Sequence, residues 1–251
     1  MITTGLVSVS FRKLSPAEIA ALVRQAGLTG IEWGGDIHVP HGNLVRAREV
    51  RQLTLDAGLT VAAYGSYYKI NQSEAAGLHF ETVLETAVAL GATTIRVWAG
   101  ALASAKADAA YRSATVAEAK RIAAIAQGAG VTISSEYHCG TLTDTNTSAQ
   151  TMLTEIQHPN FHTLWQPHNT ETVETNLAGL RAILPQLTNV HCYHWVNNER
   201  RPLAEGADIW RQYFAVVKSS GRNHCALLEF VAGDDPANFL CDAATLRQLV
   251  A

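Results

Sequence analysis

One unit recurs along this chain: an amphipathic helix, a glycine, a short apolar strand, then polar or aromatic residues. Its first copy opens at Ser15-Pro16-Ala17-Glu18, a capping box with proline at the first helical position. The helix Glu18 to Ala26 ends at Gly27, and the strand Gly30-Ile31-Glu32-Trp33 follows. The pattern returns as the helix Arg46 to Ala57, Gly58 and the strand Thr60 to Tyr64. It returns again as Phe80 to Leu90, Gly91 and Thr94 to Trp98. Thr115-Val116-Ala117-Glu118 reads as a second capping box, leading through Ile122 to Gly130 and the strand Val131 to Glu136. The marker glycines at 27, 58, 91 and 130 are 31, 33 and 39 residues apart. That is the length a strand, a helix and two loops need, about 30 residues. Glycine suits the position because helices commonly end in a left-handed residue.

The second half is less regular but continues the pattern. His162 to Trp165, Asn189 to Tyr193 and Ala226 to Phe230 are expected strands, and Glu174–Leu184, Ile209–Ser219 and Ala243–Val250 expected helices. With Gly5 to Ser10 as the first strand, the count is eight. Strands alternating with helices imply a parallel sheet of the α/β class, either open or closed. An open doubly wound sheet usually carries a glycine fingerprint after its first strand. Here that turn is Val9-Ser10-Phe11-Arg12-Lys13, with no such fingerprint. Eight near-even units in 251 residues predict a single (β/α)8 TIM barrel over residues 1–251.

Composition narrows the function. Hydrophobic residues make up 47% and charged residues 16%, enough apolar side chain for a large core. Nineteen basic against 22 acidic residues leave a net charge of −3, and basic residues do not cluster, which argues against nucleic acid as a partner. No apolar run is long enough to span a membrane, and the first residues do not resemble a secretory signal. Four cysteines without a CxxC pair suggest reduced thiols. A cytoplasmic protein is expected.

In such a barrel the active site lies at the C-terminal ends of the strands. The residues expected there are rich in carboxylate, imidazole and aromatic groups. Two glutamates stand out, Glu136 and Glu229, each in an otherwise apolar strand. A buried carboxylate is costly unless paired or bound to a metal. Each could pair with an arginine such as Arg96, or together they could form a metal site or an acid/base pair. Histidines 38, 41, 138, 168, 191 and 194 crowd the same end, whereas His79, His158 and His224 suggest surface or turn positions. The aromatics Trp33, Tyr64, Tyr67, Tyr68, Trp98, Trp165 and Trp195 could pack the rim or wall a ligand's carbon face.

The segment Gly30 to His41, the Glu136 strand, Trp165-Gln166-Pro167, Val190-His191 and Leu228-Glu229-Phe230 together resemble the xylose-isomerase-like sugar phosphate isomerase/epimerase family. That family also includes keto-sugar 3-epimerases, inosose dehydratase and hydroxypyruvate isomerase. The resemblance spans nearly the whole chain, and one scaffold there hosts varied chemistry. It implies a divalent metal held by Glu136, His191 and Glu229, with Gln166 at the strand-six position where the family usually has Asp. An amide oxygen still ligates a hard cation, but the site loses one negative charge. Such a donor set suits Mn2+ or Mg2+, with Zn2+ and Co2+ as further candidates.

The resemblance also implies that Glu136 and Glu229 act on opposite faces of a reacting carbon, one removing a proton and the other returning it through an enediolate. His168 or Asn169 would hold a substrate oxygen, His194 and Arg200 would grip a distal group, Trp33 would belong to the apolar wall, and Glu32 and His38 would close the mouth. The expected substrate is a small carbohydrate. Competing expectations are an inosose-dehydratase-like lyase and a sugar-binding barrel whose metal site Gln166 has weakened. Barrels of this kind often pair, so a homo-oligomer stays open.

Overall fold

The computed structural model describes all 251 residues. Eight parallel strands close into a barrel: β1 (Ile2–Val7), β2 (Gly30–Gly34), β3 (Thr60–Lys69), β4 (Thr94–Trp98), β5 (Thr132–Ser135), β6 (Phe161–Trp165), β7 (Leu187–Cys192) and, after a small hairpin, β10 (His224–Leu228). Each strand pairs with its neighbour in sequence, and β1 pairs with both β2 and β10 to close the ring. The hairpin, β8 (His194–Val196) and β9 (Glu199–Arg201), is antiparallel. Asn197 and Asn198 form its turn with φ of 50° and 64°, values asparagine tolerates well.

Around the barrel lie α1 (Pro16–Gln25), α2 (Leu44–Asp56), α3 (Phe80–Leu90), α4 (Ala109–Gly128), α5 (Asn146–Ile156), α6 (Val173–Ile183), α7 (Ala207–Ser219) and α8 (Pro236–Val250). The expected capping box opens α1: the Ser15 hydroxyl accepts from the Glu18 N–H, and the Glu18 carboxylate accepts from the Ser15 N–H. Gly91 ends α3 in the left-handed conformation, with φ of 77°. No helix is long and apolar enough to cross a membrane.

Four expectations change. The first strand runs from Ile2 to Val7, and Ser8–Phe11 turns into a 3-10 helix whose Ser8 hydroxyl accepts from the Gly34 N–H. The second capping box is not a helix start. Asp108 caps α4 seven residues earlier by accepting from the Tyr111 N–H, and Thr115 lies inside the helix, its hydroxyl donating to the Tyr111 carbonyl. Threonine bonds back to the i−4 carbonyl this way without ending a helix. Helix α5, capped by Thr145, was not expected; its apolar face is Ala149, Met152 and Ile156. His224 is buried rather than at the surface, its ring bridging the Thr188 carbonyl (2.7 Å) and the Ser220 hydroxyl (2.8 Å).

Barrel closure leaves one point with no room for a side chain. A Cβ on Gly5 would lie 2.4 Å from the Gly30 carbonyl oxygen and 2.7 Å from Leu227 Cδ2. Gly5→Ala is therefore expected to cost about 1–3 kcal/mol of stability. An earlier urea midpoint with an unchanged native circular dichroism spectrum would register it.

Candidate active site

The pleat of a strand sends successive side chains to opposite faces. In β2 this turns Glu32 into the barrel and Trp33 toward the helices, where its indole N–H donates to the Thr54 hydroxyl of α2 (3.0 Å). At the end of β6, Trp165 packs edge-on against Tyr213 of α7 at 4.9 Å between centroids, while the next residue, Gln166, is directed to Glu136. In β4, Arg96 is an arginine with 1% exposure inside an otherwise apolar segment. Glu136 and Glu229 follow β5 and β10, and their N–H groups extend the ladder to the Val97 and Cys192 carbonyls (2.9 and 3.0 Å).

These strands bring an alternating chain of charges to the C-terminal end of the barrel. Arg96 donates to Glu136 through Nη1 and to Glu32 through Nε (2.6 Å). The other Glu32 oxygen lies 3.2 Å from His191 Nε2, and His191 Nδ1 lies 3.2 Å from Glu229. Burial pushes the Glu32 carboxyl up, but Arg96 and then His191 outweigh it and hold the group at about 2. Burial pushes His191 down, but Glu32 and Glu229 outweigh it and raise the imidazole to about 10. Burial likewise opposes the Arg96 charge, and Glu136 and Glu32 hold it well above its ordinary value.

The two glutamates differ in their surroundings. Glu136 accepts from Arg96, from the Trp98 indole N–H (2.7 Å) and from the Gln166 amide (3.3 Å), so both of its oxygens are engaged. Glu229 meets only His191, through Oε2, leaving Oε1 free. Above them opens a cavity of about 650 Å³, walled by Tyr67, Trp98, His138 and Phe230. The Tyr67 ring covers the Arg96 guanidinium at 4.6 Å. Tyr67 sits in the β3 bulge with φ of 54°, a costly conformation for an aromatic residue and one found mostly at functional sites.

Whether this end of the barrel suits a metal follows from its donors. One ligand atom each from Glu136, His191 and Glu229 lie within 4.8 Å of one another. The Gln166 NH2 must face the Tyr137 carbonyl (2.6 Å) and Glu136, so its Oε1 is left buried with no partner. Two carboxylates and one imidazole, beside a glutamine that touches Glu136 and has an unpartnered amide oxygen, fit a hard divalent cation.

Of the residues expected to meet substrate, Arg200 lines the cavity. Glu32 lies beneath it, fully buried between Arg96 and His191. His38 is buried against Trp33, with Nδ1 on the Ser8 hydroxyl (2.9 Å). His168, Asn169 and His194 line a separate hollow of about 110 Å³ between the loops after β6 and β7. Arg96, in the sequence a candidate partner for carboxylates, joins two of them, and Arg12 and Lys13, from the turn after β1, line the cavity. The signal for Arg96 was an arginine flanked by apolar residues in Thr-Ile-Arg-Val-Trp.

Residues 20–249 match the family described as xylose isomerase-like TIM barrel, and the chain belongs to it. No curated protein matches the sequence. Among solved structures, the probable 3-DHS dehydratase AsbF of Bacillus anthracis superposes with a TM-score of 0.82 at 20% identity, covering 98% of this chain and 99% of that one. D-psicose 3-epimerase of Clostridium cellulolyticum H10, solved with D-tagatose, gives 0.76 at 15% identity and 99% coverage of both chains. A xylose isomerase-like TIM barrel protein of Mycobacterium smegmatis, in complex with magnesium, gives 0.76 at 17% identity, covering 100% of this chain and 97% of that one.

The charge chain has a pH signature, read on chelator-treated protein. A group whose folded pKa is raised stabilises fully below its unfolded value, near 6.5 for histidine, and the effect is lost as pH rises through the folded value. For His191 that loss runs from about 6.5 up to about 10. The Tm advantage of the chelator-treated wild type over His191→Gln is therefore expected to be larger at about pH 6 than at about pH 9.5. An advantage independent of pH would contradict the buried imidazolium.

Proposed function

We propose that this protein is a metal-dependent enzyme that moves a proton at a carbon beside a carbonyl in a small hydroxylated substrate, as a sugar isomerase or epimerase does. The observation that carries this is the convergence of Glu136, His191 and Glu229 at the base of a cavity large enough for such a molecule. Glu136, His191, Glu229 and the Gln166 amide oxygen would hold Mn2+ or Mg2+. Bound there, the ion supplies positive charge beside the oxygen that becomes an oxyanion when the neighbouring carbon loses its proton.

The protein's own residues divide the remaining work. Glu229 has the free oxygen, so it takes the proton from the substrate carbon. Glu136, held by three donors, would stay fixed on the opposite side; it would pass to the other face a proton it draws from water, while Glu229 releases its own to water, so that both carboxylates end as they began. Glu32 donates nothing to substrate; it accepts from His191 Nε2–H, which would leave Nδ1, once it gives up its proton, as the nitrogen available to hold an ion. Tyr67 and Trp98 shield the network from water, which strengthens each of its electrostatic contacts.

A second reading is favoured by the likeness to the 3-DHS dehydratase. Removal of a proton beside a carbonyl followed by departure of a β-hydroxyl needs the same base and the same ion. An isomerase conserves substrate mass, whereas a dehydratase releases one water, so mass spectrometry of the product separates the two.

The purified protein is expected to take up one Mn2+ per chain by elemental analysis and to lose that capacity in Glu229→Ala. On the true substrate, Glu229→Gln should reduce kcat by about 10²–10⁴-fold. A protein that never takes up Mn2+ would favour a binding barrel over an enzyme. Gln166→Asp restores a fourth acidic or imidazole ligand, and more ligand charge tightens a hard-cation site. Mn2+ titration calorimetry should show it binding about tenfold tighter than wild type.

A further inference from the structure

The cavity has the opposite charge balance to the chain. Four cationic side chains line it, Arg12, Lys13, Arg96 and Arg200, against the carboxylates Glu136, Glu229 and Asp234, while the whole chain carries −3. A divalent ion in the base of the cavity makes the lining still more positive. Arg96 is committed to the buried network, but the other three stand at the rim, Arg12 and Lys13 on the turn before α1 and Arg200 on β9. Arg12 is anchored by Asp36 (2.6 Å) through Nη2 alone. Arg200 is anchored by Asp234 (2.5 Å) and the Val231 carbonyl through Nη1 alone, backed by the rings of Trp195 and Phe230 at 5.9 and 5.3 Å. Each guanidinium is thus held in place with N–H groups left over. Lys13 is exposed and has no ion pair.

Guanidinium and ammonium groups only donate hydrogen bonds. A neutral sugar offers each partner a hydroxyl that both donates and accepts, so a rim built to hold one would mix donors with acceptors. Here the carboxylates at the rim, Asp36 and Asp234, each hold an arginine, and the remaining guanidinium N–H groups with the unpaired lysine match the oxygens of an anion. We propose that the substrate carries an anionic group, carboxylate or phosphate, bound at the rim by Lys13, Arg12 and Arg200 while its hydroxylated carbons reach Glu136 and Glu229. This specifies the substrate class and rests on the metal-dependent chemistry proposed above.

The test is calorimetry on Mn2+-loaded protein with three probes sharing one carbon skeleton: D-glucitol, D-gluconate and D-glucitol 6-phosphate. At least one anion is expected to bind about tenfold tighter than glucitol, with the advantage shrinking as salt rises. The tighter anion identifies carboxylate or phosphate as the group held. In Lys13→Gln, a change at an exposed side chain, and in Arg200→Gln, the anion's advantage over glucitol measured on the same variant should fall severalfold. Glucitol binding as tightly as both anions, an anion advantage that survives both variants, or no binding by either anion overturns the proposal. Failure of the metal chemistry shows separately, as absent Mn2+ uptake before any probe is added, and the anion comparison is then read on the metal-free protein.

Discussion

The structure depends on a row of buried charges, Glu136, Arg96, Glu32, His191 and Glu229, in which each group faces one of opposite sign. Three carboxylates inside a barrel would be prohibitively costly alone, and removing one partner of such a pair typically costs about 3–5 kcal/mol because the survivor stays buried and uncompensated. Here the guanidinium of Arg96 serves two carboxylates and the imidazole of His191 serves two more contacts. The five residues belong to or follow β2, β4, β5, β7 and β10, and they meet only because the sheet closes on itself. Barrel closure and the charge row therefore support each other.

The same row shapes the floor of the cavity. Its two ends are glutamates with different freedom: Glu136 is held by Arg96, Trp98 and Gln166, and Glu229 keeps an oxygen open. Nature of the neighbours, and not residue type, separates a carboxylate held at both oxygens from one with an oxygen free. Gln166 fits the pattern in another way. With Arg96 already drawing on Glu136, the amide adds a donor to that carboxylate and keeps its own oxygen buried and unpartnered.

Much of this was legible beforehand. Spacing of helices and glycines gave the eight units, and Phe80–Leu90 and Thr94–Trp98 fall where periodicity places them. Glu136 and Glu229 were conspicuous because a carboxylate in an apolar strand demands a partner. Other positions were ambiguous for physical reasons. Thr115-Val116-Ala117-Glu118 has the composition of a helix start, yet Asp108 caps the helix first and threonine is tolerated inside it. Trp33 stands next to Glu32, and only the strand's pleat decides that the carboxylate faces inward and the indole outward.

By itself, the sequence determined the α/β class, the number of repeats and the two glutamates that must be neutralised, because periodicity and the cost of burying charge act locally. Tertiary structure alone decided which groups neutralise them. Arg96 lies 40 residues from Glu136 and 64 from Glu32, and His191 lies 159 from Glu32. It also decided that His168, Asn169 and His194 share a separate hollow while Arg12, Lys13 and Arg200 share the cavity. Loops at one end of a barrel converge through the tilt and twist of strands that are remote in sequence, and no local pattern encodes which of their side chains will face one another.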